Sequence, residues 1–322
     1  MGNDVLDGIM GLCVADALGV PVEFMERETL RRKPVVDMRA HGTYNQPAGT
    51  WSDDTSMTLC LLDSLSNGLD YNDIMEKFLA WFKKSEYTPF GEVFGIGIGT
   101  RKAIKRFEEG RSPLECGGTM SRDNGNGSLM RILPIVFYLR SKYGNDFILN
   151  KDSFEIIHNV SSLTHAHKRS QMACGLYISI AAELFDKRDL KVSIESGINK
   201  AMDYYENQEE FKDELHHYIR LESKDFNKTN IDEIKSSGYV VDSFEAAIWC
   251  LLNTTSYKDC VLKAVNLGED TDTVAAIAGG LAGLYYGYDQ IPVEWLEVIV
   301  KREFVEELCE GTIEEKIESC RG

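Results

Sequence analysis

The stretch GEDTDTVAAIAGG, residues 268–280, places three carboxylates directly before a run of small apolar residues. Ala275, Gly279 and Gly283 recur every four residues, which puts them on one face of a helix. Small residues on a helix face let a neighbouring backbone approach closely. We therefore predict a central core helix whose N-terminal end is acidic.

Apolar residues recur at helical spacing along most of the chain, as at Met57, Leu61 and Leu65. Alternating patterns typical of strands are scarce, so the sequence predicts an all-α protein. No boundary divides the chain, and we expect a single domain over residues 1–322. Residues 203–235 are dense in charge and are predicted to form an exposed excursion.

The charge balance excludes some classes of partner. The 322 residues contain 35 Lys and Arg against 52 Asp and Glu, a formal net charge of −17. Such a chain repels phosphate backbones and anionic lipid surfaces, so neither the coating of duplex nucleic acid nor membrane binding is expected. An anionic ligand would need a metal ion or a helix N-terminus at its site.

The cysteines and the first residues of the chain indicate the cellular compartment of the protein. Eight cysteines are scattered without a Cys-x-x-Cys pair, which favours reduced, packed thiols. The first ten residues carry acids where a signal peptide needs bases. The longest uncharged stretch, residues 273–288, is shorter than the roughly 20 residues of a membrane span. We expect a soluble cytoplasmic protein.

A second acidic cluster resembles the first. Residues 52–54 read Ser-Asp-Asp and again stand directly before an apolar helix, as residues 270–273 do. Either cluster alone is typical of helix capping. If the two helix ends converge, four carboxylates would face one another and would need a cation. Oxygen ligands favour Mg²⁺, Mn²⁺ or Ca²⁺ over zinc, and four acids suffice for two ions about 3.5–4 Å apart.

Other segments could bind an anionic ligand. Residues 95–100, GIGIGT, are a glycine-rich turn whose free N–H groups could hold a pyrophosphate. Residues 124–128, NGNGS, form a second such turn that could wrap an anion or a ribose. Glu23 follows a Gly-Val-Pro break and is expected on a loop. His165 and His167 precede a helix, where capping or a hydrogen bond to phosphate is favoured over metal ligation.

Taken together, these segments resemble the ADP-ribosylglycohydrolase family, which includes the dinitrogenase reductase-activating glycohydrolase. The matching motifs, in the family's order, are GLCVADALGVPVEF, GTWSDDTSM, GNGSLMR, LTHAH and NLGEDTDTVAAIAGGLAG. They extend from the first helix to residue 283, so the resemblance covers nearly the whole chain. It implies an all-α orthogonal bundle with a binuclear magnesium or manganese centre at converging helix N-termini.

The resemblance also implies an activity: hydrolysis of the bond between ADP-ribose and an acceptor on a protein or small molecule. Water would attack the anomeric carbon through an oxocarbenium-like transition state. The implied metal ligands are Ser52, Asp53, Asp54, Asp270, Asp272 and Thr273. The implied catalytic residues are Glu23, Asp53 and Asp272. The implied ADP-ribose contacts are Gly97, Gly99, Gly127, Ser128 and His165.

Two positions depart from the family pattern. Gly95 stands where many relatives have an acid, which predicts weaker processing of arginine-linked substrates and leaves the acceptor open. Glu269 follows Gly268 where many relatives have two glycines. The oligomeric state is also left open.

Two alternative functions remain at this stage. One is a non-catalytic ADP-ribose binder or structural protein, against which the intact acidic set argues. The other is a two-metal hydrolase of a different phosphorylated nucleoside.

Overall fold

A computed structural model describes residues 3–310 of the chain. Within that range the protein is built from helices, with isolated bridges and no strand. The α-helices are α1 (Asp4–Gly19), α2 (Arg27–Arg32), α3 (Asp53–Leu65), α4 (Tyr71–Lys84), α5 (Ile98–Glu108), α6 (Pro134–Tyr143), α7 (Lys151–Ser162), α8 (Lys168–Leu184), α9 (Leu190–Glu206), α10 (Val240–Leu252), α11 (Tyr257–Val265), α12 (Thr271–Tyr286), α13 (Val293–Leu296) and α14 (Arg302–Glu310). The predicted all-α class is confirmed.

Helices α1 and α12 form an antiparallel pair at the centre of the core. A Cβ atom added to Gly11 would lie 2.6 Å from the carbonyl oxygen of Gly279, and one on Gly283 would overlap the carbonyl oxygen of Asp7. The small residues at four-residue spacing therefore mark the line along which the two backbones touch. The prediction of a central helix after residue 270 is confirmed, since residues 271–284 are all buried.

The same packing brings the two chemically important ends together. Thr271 donates its hydroxyl to the carbonyl of Gly19 at 2.8 Å, and a Cβ on Gly19 would overlap the backbone of Asp272. The C-terminal end of α1 thus touches the N-terminal end of α12. The loop that follows α1 starts beside the acidic residues of α12.

Residues 4–22 are apolar and long enough to cross a membrane by length and composition alone. In the fold, 94% of the most apolar window of this segment is buried inside the protein. Its neighbours there are α12, α3 and α14. The apolar composition of α1 is therefore accounted for by its place in the core.

The charged segment 203–235 consists of the end of α9 and a series of 3₁₀ turns, the longest being Glu209–His217. Most of its charged side chains are exposed, in line with the sequence pattern. The segment is nevertheless attached to the core through buried apolar side chains, namely Phe211, Tyr218, Leu221, Phe226 and Ile234. Its spacing of apolar residues is irregular because 3₁₀ turns, not a long helix, carry them.

The cysteines at positions 13, 60, 116, 174, 250 and 260 are buried and form no disulfide. This agrees with the packed thiols expected from their apolar surroundings. Cys320 lies outside the described residues.

Substitution of Gly283 by alanine tests the close helix contact. Alanine normally stabilises a helix relative to glycine by about 0.5–1 kcal/mol. At this position the added methyl group would overlap the carbonyl of Asp7, so we expect the free energy of unfolding to fall by about 1–3 kcal/mol. Denaturant unfolding measures it. The control is Gly97→Ala, where an added methyl group meets no atom within 4 Å; an unchanged or raised stability in Gly283→Ala would refute the contact.

Candidate metal centre and active site

Two groups of carboxylates, all buried except the half-buried Asp270, meet where α3, α12 and the end of α1 converge. One group is Asp16, Asp54 and Asp272, and the other is Glu23, Asp270 and Asp272. Within each group, one oxygen from each residue lies within 4.8 Å of the others. Asp272 belongs to both groups, so the two groups form one continuous acidic site.

The N-terminal ends of α3 and α12 converge as the sequence predicted. The hydroxyl of Thr273 lies 3.3 Å from Asp54 Oδ2, which also accepts a hydrogen bond of 3.1 Å from Ser52. Ser52 caps α3 weakly, by accepting from the Asp54 backbone N–H at 3.3 Å. Asp270 is the residue before α12, yet its side chain makes no capping bond. Helix capping therefore does not account for the acid at Asp270.

Asp16 belongs to the site although the sequence motifs did not single it out. It lies in α1, is fully buried, and Oδ2 accepts from the backbone N–H of Ser52 and Thr55 at 2.9 and 3.1 Å. The Thr55 hydroxyl donates to the same oxygen at 2.6 Å. Asp16 thus fixes the start of α3 from the core side. The signal in the sequence was a single acid in the otherwise apolar stretch of residues 8–22.

Burial shifts the pKa of these carboxyl groups. Desolvation raises the pKa of Asp16 to about 6 and that of Glu23 to about 7. It also raises the pKa of Asp54 and Asp272 well above the usual range, and the neighbouring carboxylates add to this effect. Without positive charge nearby, the cluster is costly to ionise.

The donor set fits a hard divalent cation. All the clustered side chains offer oxygen, which is the donor type that Mg²⁺, Mn²⁺ and Ca²⁺ prefer. Asp54 Oδ1 and Glu23 Oε2 are buried and have no hydrogen-bond partner among the described residues. A buried carboxylate oxygen without a donor is strongly unfavourable unless a cation neutralises it. One such atom lies in each carboxylate group.

Asp53 is placed differently from the other predicted ligands. It is buried and lines the cavity described below, but it belongs to neither carboxylate group. Its predicted role as a metal ligand stays a prediction.

Glu23 is held next to α12 by its loop. Phe24, which follows it, donates its N–H to the carbonyl of Glu269 at 2.6 Å, and Glu269 donates to the carbonyl of Met25 at 2.8 Å. Both Phe24 and Glu269 have positive φ. Tyr44 lies close enough to the Glu23 carboxylate to lower the pKa of Glu23, an interaction that the sequence did not indicate.

A cavity of about 620 Å³ opens above the carboxylates. This volume is typical of sites for nucleotide-sized ligands. Its lining combines the acids with glycine-rich turns and the basic residues Lys102 and Arg122. Gly97 immediately precedes α5 there and provides no side-chain cap, so N–H groups of the first turn of α5 are open to a ligand.

The other predicted substrate residues divide into two sets. The cavity lining includes Gly97, Gly99, Gly127 and His165. Ser128 is different, because it is fully buried and its hydroxyl accepts from Ser161 at 2.9 Å. Asn126, on the same turn, donates to Asp270 Oδ2 at 2.7 Å and holds that acid in place.

His167 does not face the metal centre. Its ring accepts from the backbone N–H of Arg169 at 3.2 Å and caps α8, which agrees with the preference for capping over metal ligation.

Gly95 has a φ of +79°, and a Cβ atom there would overlap Oδ1 of Asp53. Any side chain at this position is therefore strained and crowded. Glu269, by contrast, lines the cavity, whereas Glu92 does not.

Comparison with known proteins identifies relatives over nearly the whole chain. A family profile described as ADP-ribosylglycohydrolase matches residues 3–321. The ADP-ribosylarginine hydrolase Tri1 of Serratia proteamaculans is 33% identical over 305 residues, covering 94% of this chain and 76% of that protein. The ADP-ribosyl-[dinitrogen reductase] glycohydrolase of Rhodospirillum rubrum is 30% identical, covering 90% and 88%.

A solved structure has the same fold. The chain titled ADP-ribosylglycohydrolase-related protein complex superposes with a TM-score of 0.75 at 28% identity, covering 96% of both chains. The helical arrangement described above is therefore shared along its length.

Removal of one shared carboxylate tests the metal centre through stability alone. At a hundredfold excess over its dissociation constant, Mg²⁺ should raise the free energy of unfolding by about 2.7 kcal/mol. Asp272→Asn should lose most of this gain. In EDTA, without metal, this variant should be at least as stable as the unsubstituted protein, because the substitution relieves charge repulsion. Asp186→Asn, an exposed acid outside the site, is the control. An equal gain from Mg²⁺ in all three proteins would contradict the site.

Proposed function

The chain belongs to the ADP-ribosylglycohydrolase family, and from this premise we propose that it removes ADP-ribose from arginine side chains with two bound Mg²⁺ ions. It is a hydrolase of the glycosidic bond between ADP-ribose and an acceptor. The observation that carries the finer proposal is the pair of carboxylate groups sharing Asp272 beneath the cavity.

Two ions rather than one are proposed because the carboxylates form two groups. Asp16, Asp54 and Asp272 would hold the first ion, with Ser52 and Thr273 as hydroxyl donors beside it. Glu23, Asp270 and Asp272 would hold the second ion. We propose Mg²⁺, with Mn²⁺ as the alternative. Both ions are suited to carboxylate oxygens.

The two ends of ADP-ribose require opposite electrostatic surroundings, and the cavity offers both. The first turn of α5, with Lys102 and Arg122 nearby, would accept the pyrophosphate. The acidic groups line the same cavity, and the ribose next to the scissile bond would bind against them. Bound cations would fix the ribose hydroxyls and act as Lewis acids.

Glu23 is proposed to act on the attacking water. Its carboxylate lies on a loop at the cavity and keeps one oxygen free of protein donors. Glu23 would take a proton as the water oxygen bonds to the anomeric carbon. The electron pair of the bond from that carbon to the acceptor would go to the acceptor nitrogen, which then takes up the proton and leaves as the free guanidinium. The nearby carboxylates would stabilise the positive charge that develops on the ribose ring.

Arginine is proposed as the acceptor on two grounds. Two relatives at 33% and 31% identity are named ADP-ribosylarginine hydrolases. The carboxylate of Glu269 is exposed at the cavity, where a guanidinium could pair with it. The sequence predicted weaker processing of arginine-linked substrates only because Gly95 stands where many relatives have an acid. Glu269 supplies a carboxylate at the cavity in place of that acid.

We also propose a cytoplasmic location, supported by the buried, unbridged thiols. The substrate would be an ADP-ribosylated protein or small molecule that can reach this cavity.

Substitution of Glu23 by glutamine should separate catalysis from binding. Loss of the proton acceptor is expected to lower kcat by about 10²–10⁴, a larger factor than any loss of affinity for ADP-ribose, because Asp270 and Asp272 remain to hold the second ion. Single-turnover kinetics and calorimetry measure the two quantities. Glu26→Gln, an exposed acid three residues away, is the matched control. Weakened ADP-ribose binding at an unchanged rate would argue for a purely binding role.

The acceptor assignment is tested at Glu269. A charged contact to a guanidinium is worth about 1.5–3 kcal/mol, so Glu269→Gln should lower kcat/KM for arginine-linked substrates by one to two decades. Turnover of serine-linked ADP-ribosyl peptides should change much less. Glu92→Gln, exposed and outside the cavity, serves as control. Equal loss on both substrates would show that Glu269 does not select the acceptor.

A further inference from the structure

Arg131 is a fully buried arginine without an acidic partner among the described residues. Its Nη2 donates to the hydroxyl of Thr164 at 2.8 Å and to the carbonyl of Val160 at 3.2 Å. Its guanidinium lies 4.7 Å from the centre of the Phe78 ring. Nε and Nη1 have no hydrogen-bond partner in the described structure. Such a costly arrangement calls for a role.

Thr164 connects this arginine to the cavity. Its Oγ1 accepts from Arg131 and lies 2.9 Å from Nδ1 of His165. Thr164 is itself fully buried. Arg131, Thr164 and His165 therefore form one hydrogen-bonded chain that runs from the core to the cavity wall.

The chain determines which ring nitrogen of His165 carries the proton. Arg131 can only donate, so Thr164 Oγ1 is an acceptor toward it. The one proton of the Thr164 hydroxyl then points to Nδ1 of His165, which must be the unprotonated nitrogen. Were Nδ1 protonated, the buried hydroxyl would accept twice and its own proton would have no acceptor. The proton of the neutral ring is thus on Nε2.

The ring stays neutral as well. Burial, and after it the positive charge of Arg131, lowers the pKa of His165 to about 3. Nε2 is consequently a donor at neutral pH without carrying a full charge.

Nε2 faces the cavity through a gap left by three glycines. A Cβ atom on Gly99 would lie 2.9 Å from Nε2, and Cβ atoms on Gly125 and Gly127 would each lie 3.5 Å from it. All three glycines line the cavity together with His165. Any side chain at Gly99 would cover the nitrogen that bears the proton.

We infer that Arg131 and Thr164 are positioning residues that hold His165 as its Nε2–H tautomer, so that this N–H donates to the pyrophosphate of the ADP-ribosyl group. The inference rests on the proposed function for the ligand, but the tautomer is a property of the free protein. The buried guanidinium also places positive charge behind the pyrophosphate side of a strongly acidic protein.

The first test measures the tautomer directly. In protein labelled with ¹⁵N-histidine, the ring nitrogens of His165 are observed by NMR without ligand and assigned with His165→Gln. The expected result is a protonated Nε2 and an unprotonated Nδ1 in the unsubstituted protein and in Thr164→Ser. Thr164→Val, which removes the hydroxyl at nearly constant volume, should show a mixture or a protonated Nδ1. A protonated Nδ1 in the unsubstituted protein overturns the inference.

The second test measures the consequence for binding. Thr164→Val should weaken binding of both ADP-ribose and ADP about tenfold, since one hydrogen bond to a charged group is lost. Thr164→Ser should restore it. Thr254→Val removes a hydroxyl bonded to the carbonyl of Cys250, away from the cavity, and should leave affinity unchanged. The melting temperature of each variant shows whether it is folded. If Thr164→Val is unfolded, the test uses the ADP-ribose affinity of the folded Thr164→Ser variant.

The outcomes separate the inference from the proposed function. If the unsubstituted protein shows the Nε2–H tautomer but binds no ADP-ribose, the proposed function fails and the link to the pyrophosphate fails with it. If it binds and hydrolyses ADP-ribosylated substrates while Thr164→Val and Thr164→Ser bind ADP-ribose alike, the positioning role alone is overturned.

Discussion

Repulsion among buried carboxylates around Asp272 is the constraint on which the rest of the structure depends. Asp272 belongs to both acidic groups, and burial makes ionisation of the whole set costly. Such a site is neutralised either by protonation, which the raised pKa values favour, or by bound cations. The unpartnered oxygens on Asp54 and Glu23 show that the protein itself does not neutralise them.

The contact between α1 and α12 delivers these acids to one place. Because Gly11 and Gly283 allow the backbones to touch, the end of α1 lies against the first turn of α12. Asp16 then reaches the start of α3 and fixes it with three short hydrogen bonds. Asp16, Asp54 and Asp272 are thereby carried by helices, which favours precise positions for their carboxylates, whereas Glu23 is held by a loop.

The cavity has to bind an anionic ligand although the protein as a whole is strongly negative. A chain with a net charge of −17 repels an anionic ligand at long range, so attraction has to be local. The first turn of α5, the His165 N–H and the buried Arg131 supply positive potential on one side. Carboxylates line the same cavity, and beside them cations and a developing positive charge on the ribose are favoured.

By itself the sequence determined the helical class, the central helix after residue 270 and the two acidic clusters, because helical periodicity and helix starts are local features of the chain. Only the tertiary structure decided which side chains meet. Asp16 and Tyr44 joined the site, Ser128 turned into the core, and Gly95 came to lie against Asp53. Such contacts depend on how helices distant in sequence pack, and a side chain's direction is settled by that packing.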